Sequence, residues 1–297
     1  MAKSLIGEIR KSLQELNPNE VVEDSHRPVR VLLRARSEPM YAFLERFLVP
    51  AGPADVSASM LSRYDQADAA ADADIVIVER GLPVPAGAFE FDEADPEMMI
   101  REILETRDDL SLALARSFPA FRPIASERIR HNVSKENAFF AAATALPNIA
   151  PGLAWLPWAV PEAVSDTAVL TVNQIRMAFL LAAANGKPIG YREQKAEVAA
   201  IIAGSLGWRT LARELVGKIP FGAGIVPKAA IAYAATWIEG RSLEQLYSHG
   251  LSFSRKQRSQ VRGEAMSRGR SAAAAFMESY RKSHAESKYQ PSAAPTP

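Results

Sequence analysis

The chain has 297 residues, of which 48% are hydrophobic and 23% charged, with a formal net charge of +1. That content supports a buried core and, by length, two domains; it excludes whole-chain disorder and gives no global attraction to nucleic acid. Cysteine is absent, which excludes disulfides, zinc–cysteine sites and thiol catalysis.

The first 16 residues carry charges where a secretory signal has its apolar core, so the expected compartment is the cytoplasm. Leu5, Ile9, Leu13 and Leu16 recur at helical spacing and predict an amphipathic helix over 2–16. Asn17-Pro18-Asn19 ends it, and an acidic linker follows to residue 27. Residues 28–130 read as a small α/β domain. Val29–Leu33 predicts a strand, Met40–Leu48 a helix, and Ala73–Val78, a β-branched run before Gly81-Leu82-Pro83, the clearest buried strand. A helix is predicted over 95–114 from Met99, Ile103 and Leu110. Strand, helix, strand, helix implies a parallel sheet.

Residues 131–250 read as an Ala-rich helical domain, with helices predicted over 124–145, 165–185, 190–217 and 226–248. Gly186, Gly190, Gly217, Gly222 and Gly224 stand near their ends. A basic helix is predicted over 254–285, within a segment 251–285, and the tail 286–297 is disordered by composition. The expected fold class is α/β plus all-α: a small degenerate parallel-sheet domain followed by an Ala-rich multi-helix domain.

Charge is unevenly spread. From Leu251 onward nine Lys or Arg stand against three Glu, so a basic arm follows a mildly acidic body. Such an arm points to an anionic surface. Lys256, Arg258, Arg262, Arg268 and Arg270 are the candidate contacts for a membrane or a partner. Two apolar stretches invite a membrane reading. Ala138–Pro161 is broken by Pro147, Pro151 and Pro157, and Ile219–Ile238 by Pro220, Pro227 and Lys228, so neither reads as a straight span. Trp155, Trp158, Trp208 and Trp237 fall in or beside apolar segments, as interfacial or core aromatics do.

Catalytic motifs do not assemble. The first strand-to-helix turn, Arg34 to Pro39, has no Gly or Lys to cradle a phosphate, and Glu38 repels one. Ser134-Lys135-Glu136-Asn137 only faintly echoes a guanine-reading motif. The four His are scattered, and no pattern of metal ligands occurs. The sequence therefore implies no catalytic residue, cofactor or metal. It does set polar groups in apolar helices: Asn173, Gln174, Arg176, Arg209, Arg213, Glu214 and Lys228. They form a candidate anion-binding or structural network, and Asp166 is a candidate N-cap or first-turn carboxylate. Gly222, Gly224, Ala229, Ala230, Ala232, Ala234 and Ala235 make a strip of small residues suited to close helix approach.

In order along the chain, Leu170-Thr171-Val172-Asn173-Gln174-Ile175, Gly207-Trp208-Arg209, Ala212 to Gly217, Ile219-Pro220, Lys228-Ala229 and Ala232-Tyr233-Ala234 resemble the YcjF-like domain of unknown function. The resemblance covers residues 136–250. This bacterial helical domain accompanies Era-like GTPases or sits in inner-membrane proteins, and it carries no established activity. By analogy, residues 28–130 resemble a degenerate GTPase-like domain whose phosphate loop is missing.

The leading expectation is a non-enzymatic adaptor, peripheral at the inner face of the cytoplasmic membrane. The N-terminal helix and the basic arm would together hold it on an anionic membrane surface or a membrane protein. The alternative is a soluble scaffold that binds a partner protein, such as a GTPase, or a second copy of itself. A nucleotide hydrolase with an atypical site ranks last, and no specific nucleic acid is expected.

Overall fold

A computed structural model describes residues 2–50, 60–64, 73–145, 165–216, 225–251 and 253–289, without side chains at 206–216 and at some positions elsewhere in the helices. The described residues form ten α-helices and one four-stranded parallel sheet, a small α/β unit followed by a helical one.

In the first unit, β1 (Val31–Arg34) and β3 (Ile75–Glu79) are the buried centre of the sheet, as their apolar runs, Val31-Leu32-Leu33 and Ile75-Val76-Ile77-Val78, require. They pair in parallel with Val31 opposite Ile75 and Leu33 opposite Ile77. Two three-residue strands, β2 (Leu61–Arg63) and β4 (Phe89–Phe91), complete the order β2-β1-β3-β4. Helix α3 (Glu38–Leu48) starts at Ser37, whose side chain accepts the Met40 N–H, and turns Tyr41, Leu44 and Leu48 inward.

The segment 95–114 is not one helix. α4 (Pro96–Thr106), capped by Asp95, stops at Arg107, and a 3₁₀ turn leads into α5 (Ser111–Ser117). Arg107 makes the break: its guanidinium reaches the Asp74 carbonyl at 2.6 Å and the Asp109 carboxylate at 3.0 Å. The expected acidic linker 18–27 is also corrected. It is helix α2 (Pro18–His26), with Asn17 accepting the Asn19 N–H and Pro18 in the first turn.

Helix α6 (Arg122–Ala143) runs unbroken through the expected boundary at 130/131. Its Ile124 and Ala125 pack with the sheet core, Val133 and Phe140 with the central helical core, and Ala138 and Ala142 with a third cluster. The other helices of this unit are α7 (Asp166–Ala184), α8 (Lys195–Val216), α9 (Ile225–His249) and α10 (Arg255–Tyr289).

α7 is the axis of the helical unit and touches α1 (Ala2–Leu13), α2, α5, α6, α8 and α9. Among the described residues it alone is long and apolar enough to cross a membrane, yet 78% of its apolar window is buried in the protein. A largely apolar helix is what a core position demands, and its few polar side chains then need partners on neighbouring helices.

The N-terminal helix corrects a further expectation. Leu5 and Ile9 are buried against α7, and the Tyr191 hydroxyl meets the Leu13 and Leu16 carbonyls at 2.9 and 2.8 Å. Its apolar face is therefore occupied by the protein itself, leaving Ile6, 51% exposed, as its large apolar side chain in solvent.

Candidate functional site

In an open parallel sheet, ligands bind beyond the carboxyl ends of the strands, where the strand order reverses direction. Here that point lies between β1 and β3. The Arg36 N–H, placed to meet a phosphate, instead donates to Glu79 at 2.7 Å. The Arg36 guanidinium donates to the Arg80 carbonyl at 3.0 Å and lies where a Cβ on Gly81 would be, so the positive-φ glycine makes room for it. Arg34 donates to the Pro83 carbonyl at 3.0 Å and lies over the Tyr64 ring. Glu38, in the first turn of α3, pairs with Arg63. The crevice is closed by internal hydrogen bonds, with two carboxylates where a phosphate would need donors.

The polar residues of α7 converge on partners from α6 and α9. The Asn173 amide donates to Glu136 at 2.9 Å and to Asn137 at 3.0 Å. Arg176 donates to Glu136 at 3.0 Å and to the Asn173 amide oxygen at 3.2 Å. Thr236 accepts from Asn137 at 2.8 Å and from Gln174 at 3.1 Å, while donating to the Ala232 carbonyl. Burial holds the Arg176 guanidinium below its usual pKa, and the charge of Glu136 opposes that shift. These groups satisfy one another, so the network locks three helices in register. Glu136, Asn137 and Thr236, which the sequence reading missed, complete it.

Lys228 does not join them. It bonds Asp166 at 2.7 Å and Thr144 at 2.9 Å where α6 ends and α7 and α9 begin. Asp166 thus serves as an ion-pair partner in the first turn of α7, and Ser165 takes the N-cap position. Arg209, Arg213 and Glu214 lie on α8, with side chains outside the described residues. Trp155, Trp158, Gly222 and Gly224 also lie outside them, as does the Trp208 side chain.

The expected basic arm is largely a packed helix. Val261, Ala265 and Ala273 of α10 are buried against Ala230, Tyr233, Ala234 and Trp237 of α9, so the small-residue strip packs against protein. Arg268 is not a free contact. Its guanidinium lies 4.5 Å from the Trp237 ring centroid, and it pairs with Glu264 at 2.9 Å. Arg130, only 4% exposed, covers the same indole at 4.7 Å and pairs with Glu244 at 3.3 Å. Burial lowers the Arg130 pKa, with Glu244 opposing. Lys256, Arg262 and Arg270 are different: they are exposed and have no ion pair among the described residues. The side chain of Arg258 lies outside the described residues.

Between α6, α9 and α10 lies an open groove of about 720 Å³. Lys135, His131, Phe139, Phe276 and Tyr233 shape it. His131 Nδ1 and the Tyr233 hydroxyl are 3.0 Å apart. Burial pushes the Tyr233 pKa up to about 12 and lowers that of His131, which Lys135 and Arg268 depress further. Among the described residues, no cluster of three His, Asp or Glu side chains could hold a metal ion. No protein-family model, curated protein or solved structure matches the chain.

Proposed function

We propose that this chain is a non-enzymatic adaptor that docks on an anionic membrane surface, at the inner face of the cytoplasmic membrane, through the outward side of α10. The observation that carries this reading is that Lys256, Arg262 and Arg270 stand exposed and unpaired among the described residues on a helix anchored to α9 through Val261, Ala265 and Ala273. A rigid helix presenting unpaired cations suits headgroup attraction, at about 1 kcal/mol per basic residue near an anionic surface. The resemblance of residues 136–250 to the YcjF-like domain agrees with a place at or near the membrane. The closed crevice at β1 and β3 agrees with a GTPase-like domain that has lost nucleotide chemistry.

The anchoring is peripheral in this reading, because α7 and the apolar face of α1 are buried in protein. The same burial favours, as second reading, a scaffold that works without lipid and binds a protein partner. Flotation of the purified full chain with vesicles containing phosphatidylglycerol separates the two. Peripheral docking gives flotation at low salt that is lost at high salt, since exposed charges are screened within about 10 Å at 0.1 M. Absence of flotation at both salts refutes docking and leaves the scaffold.

A further inference from the structure

The groove beside α10 carries its charged side chains at one end and is mainly apolar at the other. α6 and α10 run in the same direction along it: Arg268 approaches Glu127 at 4.0 Å, and farther along both helices Phe276 meets Phe139 with ring centroids 5.2 Å apart. Lys135 and His131 therefore stand at the early end; Phe139, Ala143, Ala275 and Phe276 form the wall of the late end, where Ser279 adds an uncharged hydroxyl. Among the described residues, no carboxylate lines the groove.

Arg268 is held by Glu264 and Trp237 at the rim. Lys135 is not: its ammonium lies 5.9 Å from the Phe139 centroid and has no ion pair among the described residues. In the tautomer that accepts from the Tyr233 hydroxyl at Nδ1, the His131 imidazole keeps its Nε2–H as a second donor. From Lys135 to Ala143 the wall rises about 12 Å, at about 1.5 Å per helical residue.

We propose that this groove binds one anionic single-chain amphiphile, with its carboxylate or phosphate head at Lys135 and His131 and its acyl chain along Phe139, Ala143, Ala275 and Phe276. The separation of charge from apolar wall selects this occupant. A small inorganic anion has no use for the paired phenyl rings, and an amphipathic partner helix needs apolar contacts along the whole groove. The proposal goes beyond surface docking and does not depend on it, because the groove lining includes neither Lys256, Arg262 nor Arg270.

The test is calorimetric titration of the full chain with octanoate, decanoate and decyl phosphate below their micelle concentrations, with uncharged decyl maltoside as the head-group control. Saturable 1:1 binding of decanoate or decyl phosphate is expected, and comparison of the two identifies the preferred head. Affinity should rise about tenfold from octanoate to decanoate, because two more methylenes are buried. Lys135→Ala should weaken binding about tenfold. Ala275→Trp, at an exposed wall position, should abolish binding by filling the apolar end. The combined Lys256→Gln, Arg262→Gln and Arg270→Gln variant should bind as the wild type does, even where it no longer floats with vesicles. Three results would overturn the proposal: no saturable binding of either anion, equal binding of decyl maltoside, or unchanged affinity in a folded Lys135→Ala variant.

Discussion

Two glycines on α10 make opposite predictions from one helix. A Cβ at Gly269 would lie 2.5 Å from the Ala230 carbonyl oxygen and 3.2 Å from that residue's carbonyl carbon and Cα. All three atoms are backbone of α9 and cannot rotate away. Gly269→Ala must therefore force α9 and α10 apart by about 1 Å over a contact built of Ala230, Ala234, Ala265 and Ala273. Overpacking of this kind costs about 1–3 kcal/mol, and the better helix propensity of Ala offsets about 1 kcal/mol. The net expectation is a loss of about 0–2 kcal/mol, and so a stability about 1–3 kcal/mol below that of the Gly263→Ala variant. Gly263 has nothing within 4 Å of the same added atom. Gly263→Ala meets no clash, so propensity acts alone and stabilises the protein by about 1 kcal/mol. Urea denaturation followed by circular dichroism compares the two in one assay. If Gly269→Ala proves as stable as Gly263→Ala, the close packing of α9 on α10 is wrong, and α10 is a free arm after all.

Other consequences follow from the buried polar groups. Glu136→Leu leaves the Arg176 guanidinium desolvated without its carboxylate and should cost about 3 kcal/mol; adding Arg176→Met should recover most of that loss in the same urea assay. Tyr191→Phe removes the hydroxyl shared by the Leu13 and Leu16 carbonyls, so amide exchange in α1 should quicken, with about 1 kcal/mol of stability lost. The His131 ring should titrate below its ordinary 6.5, because burial and then Lys135 and Arg268 disfavour its charged form while Glu127 opposes them. The unfolded chain then takes up this proton first. The contribution of His131 to stability is complete above about pH 6.5 and falls as the pH drops toward its folded pKa. NMR titration of the ring checks the direction, and a midpoint at or above 6.5 contradicts it.

The parts legible from the amino-acid sequence are those with a strong local period. β1 and β3 announce themselves as short apolar runs, β-branched in β3, and α7, α8 and α9 as long apolar or Ala-rich helices. β2 and β4 are three residues each and exist through pairing with β1 and β3; Phe89-Glu90-Phe91 alternates, but over too few residues to announce a strand. α2 had a readable start signal, Asn17 followed by Pro18, which its acidic composition obscured. The break at Arg107 is set by the nearby Asp109 carboxylate together with a contact to Asp74, thirty-three residues away, which the local sequence does not show.

The same division runs through the site residues. Asn173, Gln174 and Arg176 stand out as polar groups on an apolar helix. Their partners Glu136, Asn137 and Thr236 come from helices distant in the chain, and only the packing brings them together. Arg268 was read by its charge as a surface contact; it is exposed, but its guanidinium lies over the Trp237 ring and pairs with Glu264.

The central claim, docking through the exposed cations of α10, is tested most directly by flotation of the wild type and of the combined Lys256→Gln, Arg262→Gln, Arg270→Gln variant. Vesicles containing phosphatidylglycerol would be used at about 0.05 and 0.5 M salt. The account predicts that the wild type floats at the lower salt alone and that the variant, equally folded, stays at the bottom of the gradient at both. A variant that floats as well as the wild type would contradict it.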